Sequence, residues 1–313
     1  MRIVVTGALG HIGSGLIRRL PEFFSSAEIV LLDNLRTQRF ASLFALPEQG
    51  RYRFVEADVV TDDLVPHFEG ADAVVHLAAM TDAEASVAMR EQVEHDNFTG
   101  TERVARACAE TGPAMLFPSS TSVYGTQESR VDEDCSEEEL QPQSPYAETK
   151  LREEDALRTM GESGGLRFVT CRFGTIVGAS PGMRFHTAVN KFCWQAVMGQ
   201  PLSVWRTALH QVRPYLDLQD AIGAIAFFLE KQLFDGRVYN VVTENLTIDA
   251  IASGIREHVP DLAVEMVDSP IMNQLSYEVA CDRLIAAGFV CQGAIDDGIA
   301  ETIELLRGAA SGR

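Results

Sequence analysis

Near the start of the chain the apolar, β-branched run Ile3-Val4-Val5-Thr6 passes at once into Gly7-Ala8-Leu9-Gly10-His11-Ile12-Gly13, and then into the helix-like Ser14 to Leu20. This order of strand, glycine turn and helix start restricts the fold more than any other feature. Glycines permit a tight turn and close backbone approach, while a helix start presents unpaired N–H groups and a positive dipole. An anionic pyrophosphate is the group such a turn receives, at the carboxyl edge of a parallel sheet. The glycines stand three apart and three apart, not in the G-x-G-x-x-G spacing. The second strand ends at Asp33, about 20 residues past Gly13, where a carboxylate can accept hydrogen bonds from ribose hydroxyls. Asp33 would repel a 2′-phosphate, although Arg36 lies close enough in sequence to soften that repulsion.

Further apolar runs bounded by turn residues recur at Ala27 to Leu32, Arg53 to Ala57, Ala73 to Ala78, Ala114 to Phe117 and Leu166 to Arg172. They read as buried parallel strands. Segments of helical spacing lie between them, including Ser86 to Glu110 and Tyr146 to Met160. Alternating strand and helix predicts an α/β protein, a Rossmann-type doubly wound parallel sheet. Beyond about Gly178 the rhythm loosens, with a helix near Thr187 to Met198 and a short strand at Leu202 to Trp205. The expected division is a dinucleotide-binding domain over 1–178 carrying the catalytic residues. A smaller mixed α/β substrate domain would take 179–313, with a segment near 212–245 returning to the first. The acidic stretch Val131 to Leu140 reads as a solvated loop.

The net charge of −19 opposes nucleic acid or an anionic membrane as partner, because those need a surplus of Lys and Arg. The six cysteines form no CxxC pair and read as reduced and structural. No apolar run approaches ~18 residues, and Met1 is followed almost at once by strand-like residues, so a soluble, cytoplasmic protein without a leader is expected. His11, His76 and His186 show no HxH or HxxxH spacing, and no metal is expected.

Tyr146-Ala147-Glu148-Thr149-Lys150 places a phenol and an ammonium at i and i+4, on one face of a helix. A free tyrosine titrates near ~10, and a neighbouring cation stabilises its phenolate and brings it towards the working range of a base. Only three of the 26 basic residues are lysines, which makes Lys150 less easily a chance neighbour. Upstream, Leu116-Phe117 runs into Pro118-Ser119-Ser120-Thr121-Ser122-Val123-Tyr124-Gly125, crowding hydroxyls at the carboxyl end of a strand. A hydroxyl there can bond a substrate oxygen while Tyr146 moves the proton.

These residues give the chain its resemblance to the extended short-chain dehydrogenase/reductase family, within it the NAD-dependent nucleotide-sugar epimerases and dehydratases, and closest among these to UDP-glucose 4-epimerase-like members. The likeness takes in the glycine loop, Asp33-Asn34-Leu35, Asp58, His76-Leu77-Ala78-Ala79 and Asn97-Phe98-Thr99-Gly100-Thr101. It continues through Ser119 to Gly125, Tyr146 to Lys150, Arg172 to Gly178 and Arg213 to Asp220. The resemblance implies Tyr146 as proton-transfer residue, Lys150 as its partner and ribose ligand, Ser120 as the hydroxyl partner, and Asn97 as the structural member of the group. It implies NAD held by Gly7, Gly10, His11, Ile12, Gly13, Asp33 and Asn34, by Asp58 and Val59 beside the adenine, by Leu77, Ala78 and Ala79, and by Asn97, Ser119, Tyr146 and Lys150. A nucleotide-diphosphate sugar would be met by Thr121, Ser122, Thr175, Trp205 and Arg213. The helices Ser86 to Glu110 and Tyr146 to Met160 resemble those that pair two copies of such enzymes, which implies a homodimer.

Dehydratases of this family carry an Asp-Glu pair after the catalytic Thr, and here Thr121 and Ser122 hold those places. A hydroxyl performs neither the acid nor the base task of eliminating water near neutral pH. The expected activity is therefore epimerisation at sugar carbon 4 through a transient 4-keto sugar. A nucleotide keto-sugar reductase or other sugar dehydrogenase is the alternative, with a catalytically inactive dinucleotide sensor behind it. The sequence departs from the family at Thr175 (usually Asn), Val177 (usually Tyr), Ala188 (often Asn), and Ser269-Pro270-Ile271-Met272, which lacks the family's arginine. Arg184, Arg206 or Arg213 would replace the missing phosphate contacts.

Overall fold

The computed structural model describes residues 1–81, 89–125, 130–136, 138, 140–142, 144–268 and 276–309. The first part of the chain runs β1 (Arg2–Thr6), α1 (His11–Phe23), β2 (Glu28–Asp33), β3 (Arg51–Glu56), α2 (Val65–Phe68), β4 (Ala73–His76), α3 (Arg90–Thr111), β5 (Ala114–Ser120), β6 (Arg130–Val131), α4 (Pro145–Glu162), β7 (Phe168–Phe173) and β8 (Thr175–Val177). It continues with α5 (Ala188–Val197), β9 (Leu202–Trp205), β10 (Val212–Asp217), α6 (Leu218–Lys231), β11 (Val238–Val241), β12 (Glu244–Thr247), α7 (Ile248–His258), β13 (Val264–Val267), β14 (Glu278–Val279), α8 (Asp282–Ala287) and α9 (Ile295–Arg307).

Seven strands form one parallel sheet in the order β11-β7-β5-β4-β1-β2-β3. This is the doubly wound α/β arrangement that the alternating pattern predicts. The chain leaves β1 outward to β2 and β3, then returns to β4 on the other side. That reversal opens a crevice past the ends of β1 and β4, where ligands of such sheets bind. Helices cover both faces, and two apolar cores result: Leu16, Ile17 and Leu20 of α1 pack with α6 on one side, and Val104 and Cys108 of α3 with Leu157 of α4 on the other.

β5 runs three residues beyond the predicted Phe117, through Pro118 to Ser120. β4 pairs only with Ala114, Met115 and Leu116, so the missing N–H of Pro118 lies past that partner's end and disrupts no ladder there. The smaller sheets are β12-β10-β8, β13-β9 and β14-β6, and a third core gathers Val189, Phe192, Leu202, Ile251 and Ile299. Within the 212–245 segment, β11 joins the seven-stranded sheet beside β7, whereas β10 pairs with β8 and β12. The connection after Gly178 is fastened to the glycine turn. His11 Nε2 meets the Gly178 carbonyl at 2.8 Å, Ser180 Oγ donates to the His11 carbonyl at 2.8 Å, and Gly182 N–H donates to Ser14 Oγ at 2.9 Å. Among the described residues no helix is long and apolar enough to cross a membrane.

Candidate active site

The glycine turn is closed by contacts that only glycine permits. Gly7 adopts φ +64°, and a Cβ there would lie 2.6 Å from the backbone of Leu77 and Ala78. A Cβ on Gly13 would stand 2.4 Å from the Gly7 carbonyl oxygen. The turn therefore brings the start of α1 directly against the end of β4. No side chain caps α1, and its first turn holds no acidic residue. Arg39 and Arg184 add positive charge at this corner, and burial, then the Arg184 charge, brings Arg39 down to about 10. Two cations gathered at an uncapped helix start, in a chain of net charge −19, make a local anion site. His11 is held neutral beside it, pushed down to about 4 by burial, so Nε2 carries a proton that it donates to Gly178.

At the end of β2, Asp33 accepts the N–H of Leu9 at 3.1 Å and of Leu35 at 3.0 Å, leaving its remaining lone pairs facing the cavity. Asn34 donates to Asp58 at 2.9 Å, and Asp58 also accepts from Val60 N–H at 2.8 Å. Val59 packs under Gly100 of α3, where a Cβ would be 3.0 Å from it. Arg36 turns away to Asp96 at 2.6 Å, so Arg39 rather than Arg36 is the arginine beside Asp33. Leu77 and Ala78 hang on Thr6, whose carbonyl and hydroxyl accept their N–H groups at 3.0 and 3.3 Å. Asn97 brackets the segment after Ala79 by exchanging two hydrogen bonds with the backbone of Met80, at 2.7 and 3.0 Å.

Ser120 ends β5 with its Oγ accepting from Ser122 N–H at 3.1 Å and Ser122 Oγ at 2.8 Å. Its own hydroxyl hydrogen is left to donate into the cavity. Thr121 Oγ1 donates to the Phe173 carbonyl at 3.2 Å. Ser119 also borders the cavity, but its hydroxyl donates to Glu154 of α4, and Glu154 in turn pairs with the buried Arg172 at 2.7 Å. Tyr146 and Lys150 share a face of α4, and Lys150 Nζ stands 5.9 Å from the Tyr146 ring centroid and 4.3 Å from that of Phe117. The ammonium is nearly sealed, 4% exposed, and pairs with Glu153 Oε2 at 3.2 Å. Burial first, and then the Glu153 carboxylate, push the Tyr146 phenol well above its ordinary range.

Across the crevice Thr175 of β8, Trp205 of β9 and Arg213 of β10 face the same space. Arg213 sits 5.4 Å over the Tyr277 ring and donates to Gln211 at 3.3 Å. The catalytic, cofactor and substrate residues nominated from the sequence border one cavity of about 1210 Å³, as does Arg184, whereas Arg206 lies outside it and faces Asp268 on the surface. Single small-ligand sites run to ~1,000 Å³ at most, so this space admits a cofactor and a substrate side by side. Arg39, Lys191 and His186 also line it and carry no motif that sequence reasoning could have used. The segment Ser269-Pro270-Ile271-Met272 lies outside the described residues.

Fold and site together give a glycine turn of the dinucleotide-binding kind, with a tyrosine, lysine and serine at the mouth of a parallel sheet. The sequence model of the NAD dependent epimerase/dehydratase family matches residues 3–241, and the chain belongs to that family. It is 31% identical over 77% of its length to a UDP-glucose epimerase of Bacillus subtilis, YtcB, described as uncharacterised, and covers 76% of that protein. It is 28% identical over 96% of its length to RHM1 of Arabidopsis thaliana, a trifunctional UDP-glucose 4,6-dehydratase, UDP-4-keto-6-deoxy-D-glucose 3,5-epimerase and UDP-4-keto-L-rhamnose-reductase. The chain spans 46% of that plant protein, about half its length. Among solved structures, MoeE5 in complex with UDP-glucuronic acid and NAD superposes with a TM-score of 0.85 at 25% identity, over 99% of this chain and all of that one.

Proposed function

We propose that the chain is an NAD-dependent nucleotide-sugar epimerase acting at sugar carbon 4. The observation that carries this reading is the hydroxyl cluster at the end of β5. Thr121 and Ser122 hold the two places where elimination would need an acid and a base, and both hydroxyls are engaged, that of Thr121 with the Phe173 carbonyl of β7 and that of Ser122 with Ser120. Ser120 and Tyr146 remain beside the substrate space, suited to moving one proton.

The glycine turn, Asp33, Asn34, Asp58 and Val59, the Leu77 to Ala79 segment, Asn97, Ser119 and Lys150 fit NAD, as the close backbone packing and the uncapped α1 require. Bound there, NAD supplies a reversible hydride acceptor. Ser120 donates a hydrogen bond to the reacting oxygen, and Tyr146 removes and later returns its proton. Arg213, with Thr175 and Trp205, would meet the nucleotide and its diphosphate; Arg184 reaches the same cavity. The sugar is oxidised to a 4-keto form, turns, and is reduced on its other face.

Purified protein with NAD and a panel of UDP- and dTDP-sugars, followed by NMR, tests this reading. The expected result is a mixture of two carbon-4 epimers with no net change in NADH. Stoichiometric consumption of NADH by a keto sugar would instead establish a reductase. That second reading is favoured by the reductase activity in the name of the plant relative. We further infer a homodimer through α3 and α4. The support is the resemblance of these helices to those that pair two copies of such enzymes; within the chain they pack together through Arg90 paired with Glu148 at 2.8 Å and Arg152 lying 4.8 Å over Phe98. Sedimentation at the mass of one chain would overturn it.

A further inference from the structure

Behind the Tyr146 and Lys150 pair runs a buried hydrogen-bonded chain that the proton transfer described above does not use. Ala78 N–H meets Thr6 Oγ1 at 3.3 Å, Thr6 Oγ1 meets His76 Nδ1 at 2.8 Å, His76 Nε2 meets Thr101 Oγ1 at 3.1 Å, and Thr101 Oγ1 meets Glu153 Oε1 at 2.6 Å. At its end Glu153 Oε2 forms an ion pair with Lys150 Nζ at 3.2 Å, without hydrogen-bond geometry. Thr6, His76, Thr101, Lys150 and Glu153 are each 4% exposed or less.

The direction of every bond in this chain follows from its end. An ionised carboxylate only accepts, so the Thr101 hydroxyl must donate to it. Thr101 oxygen then accepts from His76, which puts the imidazole proton on Nε2. Nδ1 is left bare and takes the Thr6 hydroxyl, whose oxygen accepts Ala78 N–H. All donors point towards Glu153, which agrees with an imidazole held neutral at about 3 by burial and the Lys150 charge. The ammonium of Lys150 is thus drawn to a carboxylate on its own helix, away from the phenol it would otherwise assist. Other charges near α4 are already engaged. Arg172 of β7 pairs with Glu154, while Arg90 and Glu94 of α3 pair on the outer surface with Glu148 and Arg152. β5 brings no titratable group.

We propose that Glu153 is a positioning residue: its carboxylate, anchored by Thr101, holds the Lys150 ammonium and sets the pH at which Tyr146 gives up its proton. The sign follows from electrostatics, since a carboxylate opposing the lysine charge disfavours the phenolate. This inference rests on the proton-transfer role proposed for Tyr146, but its test does not depend on finding the substrate.

The ultraviolet tyrosinate signal of the full chain, with and without NAD, is titrated in the parent protein and in Glu153→Gln. The matching Tyr146→Phe background is subtracted to isolate one of the six tyrosines. In Glu153→Gln the Tyr146 transition is expected to fall by about one pH unit, the displacement that a single nearby charge typically produces. Glu153→Asp, which draws the charge back by one carbon, is expected to give a smaller fall, and it tests the sign if the glutamine variant does not fold. An unchanged or raised transition in the folded variants overturns the proposal. Where a sugar is turned over, the acid limb of kcat must shift in the same direction. If no sugar reacts, the epimerase reading fails while the titration still decides the role of Glu153.

Discussion

Tyr146 is half-buried at the crevice, with Ser120 on the neighbouring strand end and no carboxylate among the residues between Ser120 and Val123. Its hydroxyl is the group proposed to carry the proton, while the glycine turn of the cofactor cradle is built from backbone. Tyr146→Phe is therefore expected to bind NAD with unchanged affinity by calorimetry and to lose about 10²–10⁴-fold in turnover. Full activity in that variant would sink the mechanism. Glu154 makes a contrasting case one residue from Glu153. It pairs with Arg172 at 2.7 Å, both nearly sealed, and receives the Ser119 hydroxyl, while Arg172 also donates to Tyr124 at 2.9 Å. Glu154→Ala leaves a buried guanidinium without its counter-charge. Urea denaturation should show a loss of about 3–5 kcal/mol, a cost borne by the fold rather than by the proton transfer.

At the scale of elements, the glycine turn shows what a sequence can and cannot announce. Strand, turn and helix were legible because apolar runs and glycine spacing are local, and the parallel sheet followed from their alternation. Ser120, Tyr146 and Lys150 were legible for the same reason: each sits in a short motif at a predictable end of an element. Arg39 and Glu153 were not, because their importance comes from what the sheet brings together across the chain. Arg39 meets Gly10 and Arg184, and Glu153 meets Thr101 and, beyond it, His76. The reach of β5 through Pro118 was missed for a related reason, since the proline is tolerated only where β4 has ended. The tight packing of the turn gives a test at this scale. Gly13→Ala places a Cβ 2.4 Å from the Gly7 carbonyl, a backbone atom that cannot swing aside. Loss of NAD binding by calorimetry is expected, with the far-ultraviolet helical signal retained; unchanged affinity would show that α1 can move.

Over the whole molecule, two histidines bordering the cofactor crevice are held neutral by burial, His11 at about 4 and His76 at about 3. An unfolded histidine titrates near ~6.5, so in both cases the folded state binds its proton less readily than the unfolded chain. As pH falls below that value the unfolded chain takes up protons that the native state refuses, and stability must fall with them. Each group contributes about 1.4 kcal/mol per pH unit until its folded value is reached. Between pH about 6.5 and 5 unpaired carboxylates remain ionised, since they titrate near ~4, so relief of the acidic surface's self-repulsion hardly competes in that window. Urea midpoints measured from pH 7 to pH 5 should therefore decline. His11→Gln, whose amide can still donate to the Gly178 carbonyl, should decline less steeply than the parent. A midpoint that stays level would mean that water reaches these imidazoles, and with it that the crevice around the glycine turn is not closed as the His11, Ser14 and Ser180 contacts describe.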